Sequence, residues 1–341
     1  MSDDAAGVYD WEGGRSGIKR KAPPEWYAPR IDRKVLRGLM KRNNHRAFIS
    51  TGLWFLLMGG LGWLAAATMS SPWCILFFFA YGQVLGTSSV RWHECLHGTP
   101  FRTPILNEIV YFIGCALDFR DTVFTRWSHV THHSYTIDTD VDLEIHVPRP
   151  VKLRRLLPDL LYINGGLFLI PQLVRHSFGS PTAAARRVVP QGDFLRMFWS
   201  ARAVLAVHLA AVALAIILGS WLPILLFTLP RFYGAALLFI LAMPQHAGLA
   251  ENSSDHRLVA RTIVTNPVFS FLYMHMEYHV EHHIFPNVPF HALRKLHEAV
   301  RDQMPVPYRG MLAAWREMIP TLLRQRHEPD YYVRRKLPRD A

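Results

Sequence analysis

The sequence predicts an all-α integral membrane fold: four transmembrane helices in two hairpins, beneath a cytoplasmic helical cap. Three observations predict it. Two apolar blocks are each about two spans long, all but one of the basic residues stay out of those blocks, and three histidine-rich motifs lie beyond their ends. At 341 residues and 50% hydrophobic, the chain is neither a small disulfide scaffold nor a disordered polymer. Its three cysteines are scattered, form no CxxC pair and suggest a reducing compartment.

Residues 1–45 come first. The opening MSDDAAGVYDWEGGRSG is acidic, rich in glycine and lacks an apolar h-region, so it does not read as a signal peptide. A mostly solvated cytoplasmic arm is expected, with Pro23, Pro24 and Pro29 keeping its middle extended.

Ala47 to Val90 contains no Lys, Arg, Asp or Glu. It fits two helices of about 20 residues, each able to cross ~30 Å of hydrocarbon. Ser70-Ser71-Pro72 is the natural break. A second block runs from Ala203 to His246 and is broken near Gly219-Ser220 and Pro223. Of the 38 Lys and Arg, only Arg231 lies inside these spans. The positive-inside rule then puts both termini and the central segment in the cytoplasm, and the expected location is a bacterial inner membrane. The net charge of +12 suits an anionic membrane face, and the apolar blocks speak against nucleic acid as the partner. Arg231 itself either snorkels, lies at a turn near Pro230, or serves function as an intramembrane ion.

A fifth apolar stretch, Pro158 to Val174, holds Asp159, Asn164 and Gly165-Gly166 and is flanked by basic residues. It is expected to lie in the interface rather than to cross. If the histidine motifs on either side of the second block share one site, an even number of spans must separate them. Two spans over 203–246 satisfy that condition.

The motif HxxHH occurs twice, at His129–His133 and His279–His283. With 18 His in the chain, chance predicts roughly 0.05 copies. A third motif, HECLH from His93 to His97, follows directly on the second span. On a helix, positions i and i+4 lie about 40° apart, so His93 and His97 share a face. The sets His129, His132, His133 and His279, His282, His283 do likewise. Eight convergent imidazoles exceed the capacity of one metal and match two, without selecting among Zn, Cu, Fe and Ni. His45, His146, His176, His208, His291, His297 and His327 are isolated and read as satisfied or solvated, while His256 and His275 stay open. HECLH also satisfies HExxH, in which two His bind zinc and Glu94 acts as base. A zinc peptidase, however, leaves both HxxHH motifs without a use. A non-enzymatic metal carrier would need polar residues lined up within the spans, and these spans are nearly clean.

RWHECLHGTPF, RWSHVTHHSYT and EYHVEHHIFPNVPFHALRKLH resemble the three histidine boxes of the membrane fatty acid desaturase and hydroxylase superfamily in spacing, order and placement. The resemblance covers about residues 45–300. It implies two irons held by the boxes, dioxygen as co-substrate, and a ninth ligand at His246 in PQHAGL. Where some members place an asparagine one helical turn before that histidine, this chain has Ala242, which leaves Gln245 to hold any water there. The resemblance also implies a lipid or fatty acyl substrate, with desaturation expected and hydroxylation of a lipid or smaller amphiphile as the alternative. Electrons would come from an external donor, a ferredoxin or a b-type cytochrome with its reductase. Carboxylates should orient the imidazoles. Glu94, Asp138, Asp140, Asp142, Glu144, Glu277 and Glu281 are the supply, with Glu94, Asp142, Glu277 and Glu281 the first choices. The expected organisation is a cytoplasmic arm (1–45), a membrane desaturase-like domain (46–300) and a cytoplasmic C-terminal tail (301–341).

Overall fold

The computed structural model describes residues 24–338, and those residues are mostly helical. A short α1 (Arg33–Leu39) is capped by Asp32, whose carboxylate accepts the Lys34 and Val35 amides. The first apolar block forms α2 (Asn44–Ala67) and α3 (Trp73–Gly86), and α3 continues through Thr87 into α4 (Ser88–Leu96). Both limbs are long and apolar enough to cross a membrane. Their break falls at 68–72, as the Ser-Ser-Pro signal predicts.

Between the first and second boxes lies a helix the sequence reading did not single out, α5 (Pro104–Leu117). It packs against α4, with Trp92, Cys95, Tyr111 and Cys115 in the shared core. The second box is on α6 (Thr122–Ser134), capped by the Asp121 carboxylate on the Phe124 amide. Then come α7 (Leu153–Leu156), a 3₁₀ turn (Leu157–Leu161) and α8 (Ile163–Ser177). The chain bends by 70° between these two helical pieces, at Tyr162 with its left-handed φ of 55°. A short α9 (Ala183–Val188) leads to α10 (Phe194–Leu218), the third long apolar helix. Among the described residues, three helices can span a membrane, or four if the bent pair counts as one.

The last limb of the second apolar block differs from expectation. It is a chain of short pieces: a π-helical turn (Ile224–Thr228), α11 (Pro230–Tyr233), α12 (Ala235–Ala242) and a 3₁₀ turn (Met243–Gln245). Pro230 lacks the amide a continuous helix would need. Gly234 interrupts the run where its backbone presses against Gly82 of α3, so close that a Cβ there would sit 1.9 Å from the Gly82 carbonyl oxygen. Continuity of this limb is given up for close packing on the first hairpin. Arg231 neither snorkels nor marks an exposed turn. It is buried and paired with Asp118, which also accepts from Arg120, Trp92 and Ser89, and its guanidinium lies over the Tyr162 ring.

The rest of the chain builds the cap: α13 (His256–Val259), α14 (Pro267–Leu272), α15 (His279–Ile284) with the third box, α16 (Leu293–Val300) and α17 (Met311–Arg324). Strand β1 (Ile263–Val264) pairs in parallel with β2 (Tyr308–Arg309). The segment after residue 300 is therefore woven into the cap, and Ala314, Met318 and Leu322 of α17 are buried. Most of the described arm residues are exposed, as expected, yet the arm is also docked. Tyr27, Ile31, Leu36 and Leu39 pack on α16, and the Tyr27 amide donates to the Ser254 carbonyl. Pro23 and the residues before it lie outside the described residues.

Candidate metal centre

The site is built by four segments: the α4 end, α6, the turn closing the last apolar limb, and α15. Helical spacing sets His129, His132 and His133 on one side of α6, and His279, His282 and His283 on one side of α15. His93 is on α4, His97 caps it, and His246 follows the 3₁₀ turn Met243–Gln245. The structure brings all nine together in two groups. One holds His93, His97, His129, His133 and His282; the other holds His132, His246, His279 and His283. Within each group the candidate ligand atoms lie within 4.8 Å of one another.

The Nε2 atoms of several box histidines face each other at short range. His129 Nε2 is 3.2 Å from His97 Nε2 and 3.0 Å from His133 Nε2. His279 Nε2 is 2.8 Å from His246 Nε2 and 3.1 Å from His283 Nε2. With bonds of ~2.1 Å, two nitrogens at right angles on one metal stand ~3.0 Å apart. Both ring nitrogens of the fully buried His282 have no hydrogen-bond partner among the described residues. Buried polar atoms normally find partners, so converging orphan nitrogens fit metal ions better than packing alone.

The opposite ring nitrogens are held in the manner metal-binding histidines require. His132 Nδ1 donates to Asp142 at 2.8 Å, His129 Nδ1 to Glu144 at 3.0 Å, and His246 Nδ1 to the Val259 carbonyl at 2.7 Å. His283 Nδ1 lies 3.2 Å from the Thr136 hydroxyl, which itself donates to the His132 carbonyl. Burial, then repulsion among neighbouring imidazoles, holds His133, His279 and His283 well below the usual histidine range, and burial with repulsion from His129 does the same for His282. Neutral imidazole is the metal-binding form. His132 goes the other way: burial opposes its charge, but the Asp142 carboxylate more than compensates and raises it. Burial opposes charge on Glu144 too, and the His129 imidazole beside it brings it down.

Of the carboxylates named first, Asp142 touches a box imidazole. Glu94 accepts from the Thr99 hydroxyl and the Phe290 amide, and its other oxygen is 3.7 Å from His282 Nδ1, beyond a hydrogen bond. Glu281 binds His297 at 2.5 Å and Thr262 at 2.6 Å, and Glu277 binds Ser270; neither makes a hydrogen bond to a box histidine. Glu144 takes the expected role instead. The DTDVDLE run divides, Asp142 turning inward while Asp140 stays exposed. Gln245 uses its amide nitrogen on the Met276 carbonyl. His256 is buried against the second group and His297 is satisfied by Glu281.

A cavity of about 280 Å³ opens beside both groups. Val90, Leu238, Phe239, Ala242, Met243 and Met276 give it an apolar lining next to His93, His132, His246 and His279. Tyr162, Arg120 and Arg231 also line it. The volume is near the lower edge of ordinary ligand pockets, ~300 Å³.

The sequence pattern of the fatty acid desaturase family matches residues 70–315. The chain is 26% identical over 280 residues to a protein of Dimorphotheca sinuata named Delta(9) fatty acid conjugase-like enzyme, covering 71% of this chain and 73% of that one. It is 22% identical over 276 residues to a Homo sapiens protein named putative fatty acid desaturase 2-like protein FADS2B, covering 72% of this chain. It spans 55%, about half, of that human relative's length.

Proposed function

The chain belongs to the fatty acid desaturase family and is an oxidoreductase, and from that premise we propose that it is a dioxygen-dependent diiron desaturase that introduces a double bond into the alkyl chain of a lipid. The observation that carries this reading is the gathering of nine imidazoles in two groups, with His93, His129, His132, His246 and His279 on the wall of one largely apolar cavity. His93, His97, His129, His133 and His282 would hold one iron, and His132, His246, His279 and His283 the other. The bound irons would supply the oxidant needed to remove hydrogen from an unactivated C–H bond.

The chain's own residues do the rest. Asp142, Glu144 and the Val259 carbonyl fix three imidazoles with Nε2 free and pointing inward. Val90, Leu238, Phe239 and Met276 exclude water and grip methylene groups. A zinc peptidase built on HECLH would use His93, His97 and one further ligand, which leaves most of the nine gathered imidazoles without a use. In this reading the spans form two hairpins, the bent pair α7–α8 lies in the interface, and the histidine cap faces the cytoplasm. An external carrier supplies electrons.

Mass spectrometry of lipids from cells with and without the gene tests the assignment. Loss of two hydrogens from an acyl chain supports desaturation, and gain of one oxygen means hydroxylation. No change in any lipid, with two irons bound, overturns the lipid substrate.

A further inference from the structure

We propose that Trp26 and His256 form the path by which electrons reach the metal centre from a small acidic carrier protein docked on the N-terminal arm. The inference rests on the diiron reading above and adds the route and the partner's charge. Trp26 is half-buried in the arm, anchored by its indole N–H on the Ser134 carbonyl at 3.2 Å. Its ring stacks on His256, centroids 3.8 Å apart and planes 11° apart. His256 in turn stacks on His283, at 5.2 Å and 29°. The Thr136 hydroxyl bridges the same two imidazoles, 3.3 Å from His256 Nε2 and 3.2 Å from His283 Nδ1. An unbroken run of π systems, backed by a hydrogen-bonded bridge, thus leads from a partly exposed ring to an imidazole of the second group.

A purely structural role explains this run poorly. An apolar side chain would anchor the arm as well, without burying His256 with its Nδ1 unpartnered among the described residues. Electron tunnelling weakens exponentially with distance through saturated groups, and stacked rings shorten those gaps. Seven to eleven residues further along the arm, α1 exposes Arg33, Lys34 and Arg37. Such a cationic face favours an acidic partner and speeds its encounter.

The balance is simple. Each transfer oxidises the carrier by one electron and reduces the centre by one, and no bond in Trp26 or His256 forms or breaks. Two such electrons, two protons and the two hydrogens taken from the substrate reduce one dioxygen to two waters.

Two measurements test it. The first uses iron-loaded protein carrying a ruthenium bipyridyl photosensitiser on Glu25→Cys, in a Cys74→Ser background. Flash photoreduction is followed as loss of ferric absorbance, which reads electron delivery and not turnover. Trp26→Leu should slow it at least tenfold at unchanged iron content, and Trp26→Tyr should largely restore it. An unchanged rate in Trp26→Leu overturns the route. So does loss of iron in that variant, which would make the arm structural. Absence of iron in the wild type would instead defeat the diiron reading. The second measurement uses a reduced plant-type ferredoxin as probe. Its reduction of the wild-type centre should slow with added salt and fall at least tenfold in Arg33→Glu/Lys34→Glu. Insensitivity to those charges, or no reduction of the wild type, overturns the acidic carrier.

Discussion

His246 Nε2 lies 2.8 Å from His279 Nε2, although one residue ends the last apolar limb and the other begins α15 in the cap. The contact ties membrane and cap through a point that a metal would occupy. His246→Ala should therefore lower bound iron from about two per chain toward one and abolish turnover, while the protein still inserts and elutes as a single species. His327→Ala, at an exposed position, is the control and should keep both. His297 would be a poor control, because its removal leaves the buried Glu281 without its imidazole partner. Elemental analysis decides; equal iron in both variants would exclude His246 as a ligand.

Asp142 and Glu144 each orient one imidazole, on different metal groups. Loss of such an outer partner typically costs about 10–100-fold in metal affinity. Asp142→Asn and Glu144→Gln should each weaken iron binding to that extent, read by competition with a chelator. Glu277→Gln, whose parent carboxylate faces Ser270, should change it by less than about threefold.

The pH dependence follows from the buried imidazoles. His133, His246, His279, His282 and His283 are all held well below the usual 6.5, chiefly by burial, and His256 is lowered to about 3. For such groups the unfolded chain takes up protons first as pH falls. The iron-free protein is then most stable above 6.5 and loses stability as pH drops below it. His132 alone among these is raised, so its contribution is present below 6.5 and lost as pH rises through its higher folded value. It is outnumbered. Thermal unfolding of iron-free protein in detergent should show a falling Tm from about pH 7 to about pH 5. A flat or rising Tm would contradict the burial of these rings in neutral form.

Gly234 admits no Cβ, because the Gly82 carbonyl oxygen would be 1.9 Å away. Gly234→Ala should cost at least the ~1–3 kcal/mol of an overpacked core and reduce the yield of folded protein. Gly59→Ala in α2, where nothing lies within 4 Å, should be neutral or stabilising by up to ~1 kcal/mol. Comparing the two in thermal denaturation separates tight packing from helix propensity.

Topology is tested by labelling. Ser220→Cys, in the turn after α10, should react only from outside the membrane, and Thr139→Cys only from the cytoplasm. Reaction of both from the same side would break the arrangement of two hairpins beneath one cap.

Much of the candidate site could be read in the sequence because histidines that share a helical face carry their own periodicity. HxxHH and HECLH place their imidazoles on one helical face whatever the tertiary fold, and those eight converge. His246 had no such local pattern and came from resemblance alone. The orienting groups were less legible, since they act across loops. Glu144 and Glu281 look alike in sequence, yet the loop after α6 folds one onto His129 and the cap turns the other toward His297. Hydropathy gave the break at 68–72 and the limb α10, but it does not register the Gly82–Gly234 contact that fragments the last limb. Nor does composition reveal the docked arm, held by Tyr27, Ile31, Leu36 and Leu39 on α16 and by Trp26 stacked on His256.

The pairing of β1 with β2 has a consequence for the order in which the protein is made. Ile263–Val264 lie before the third histidine box, and their partners Tyr308–Arg309 lie after it. The Val333 amide closes on Gly248, just past His246, and Arg335 reaches the Ala260 carbonyl. The apolar helices can enter the bilayer as they leave the ribosome, but the contacts that bracket the last histidines are completed only by residues 308–335. Closure around the third box then waits for residues 308–335, and a ribosome stalled before residue 308 would leave an inserted chain with that box unclosed.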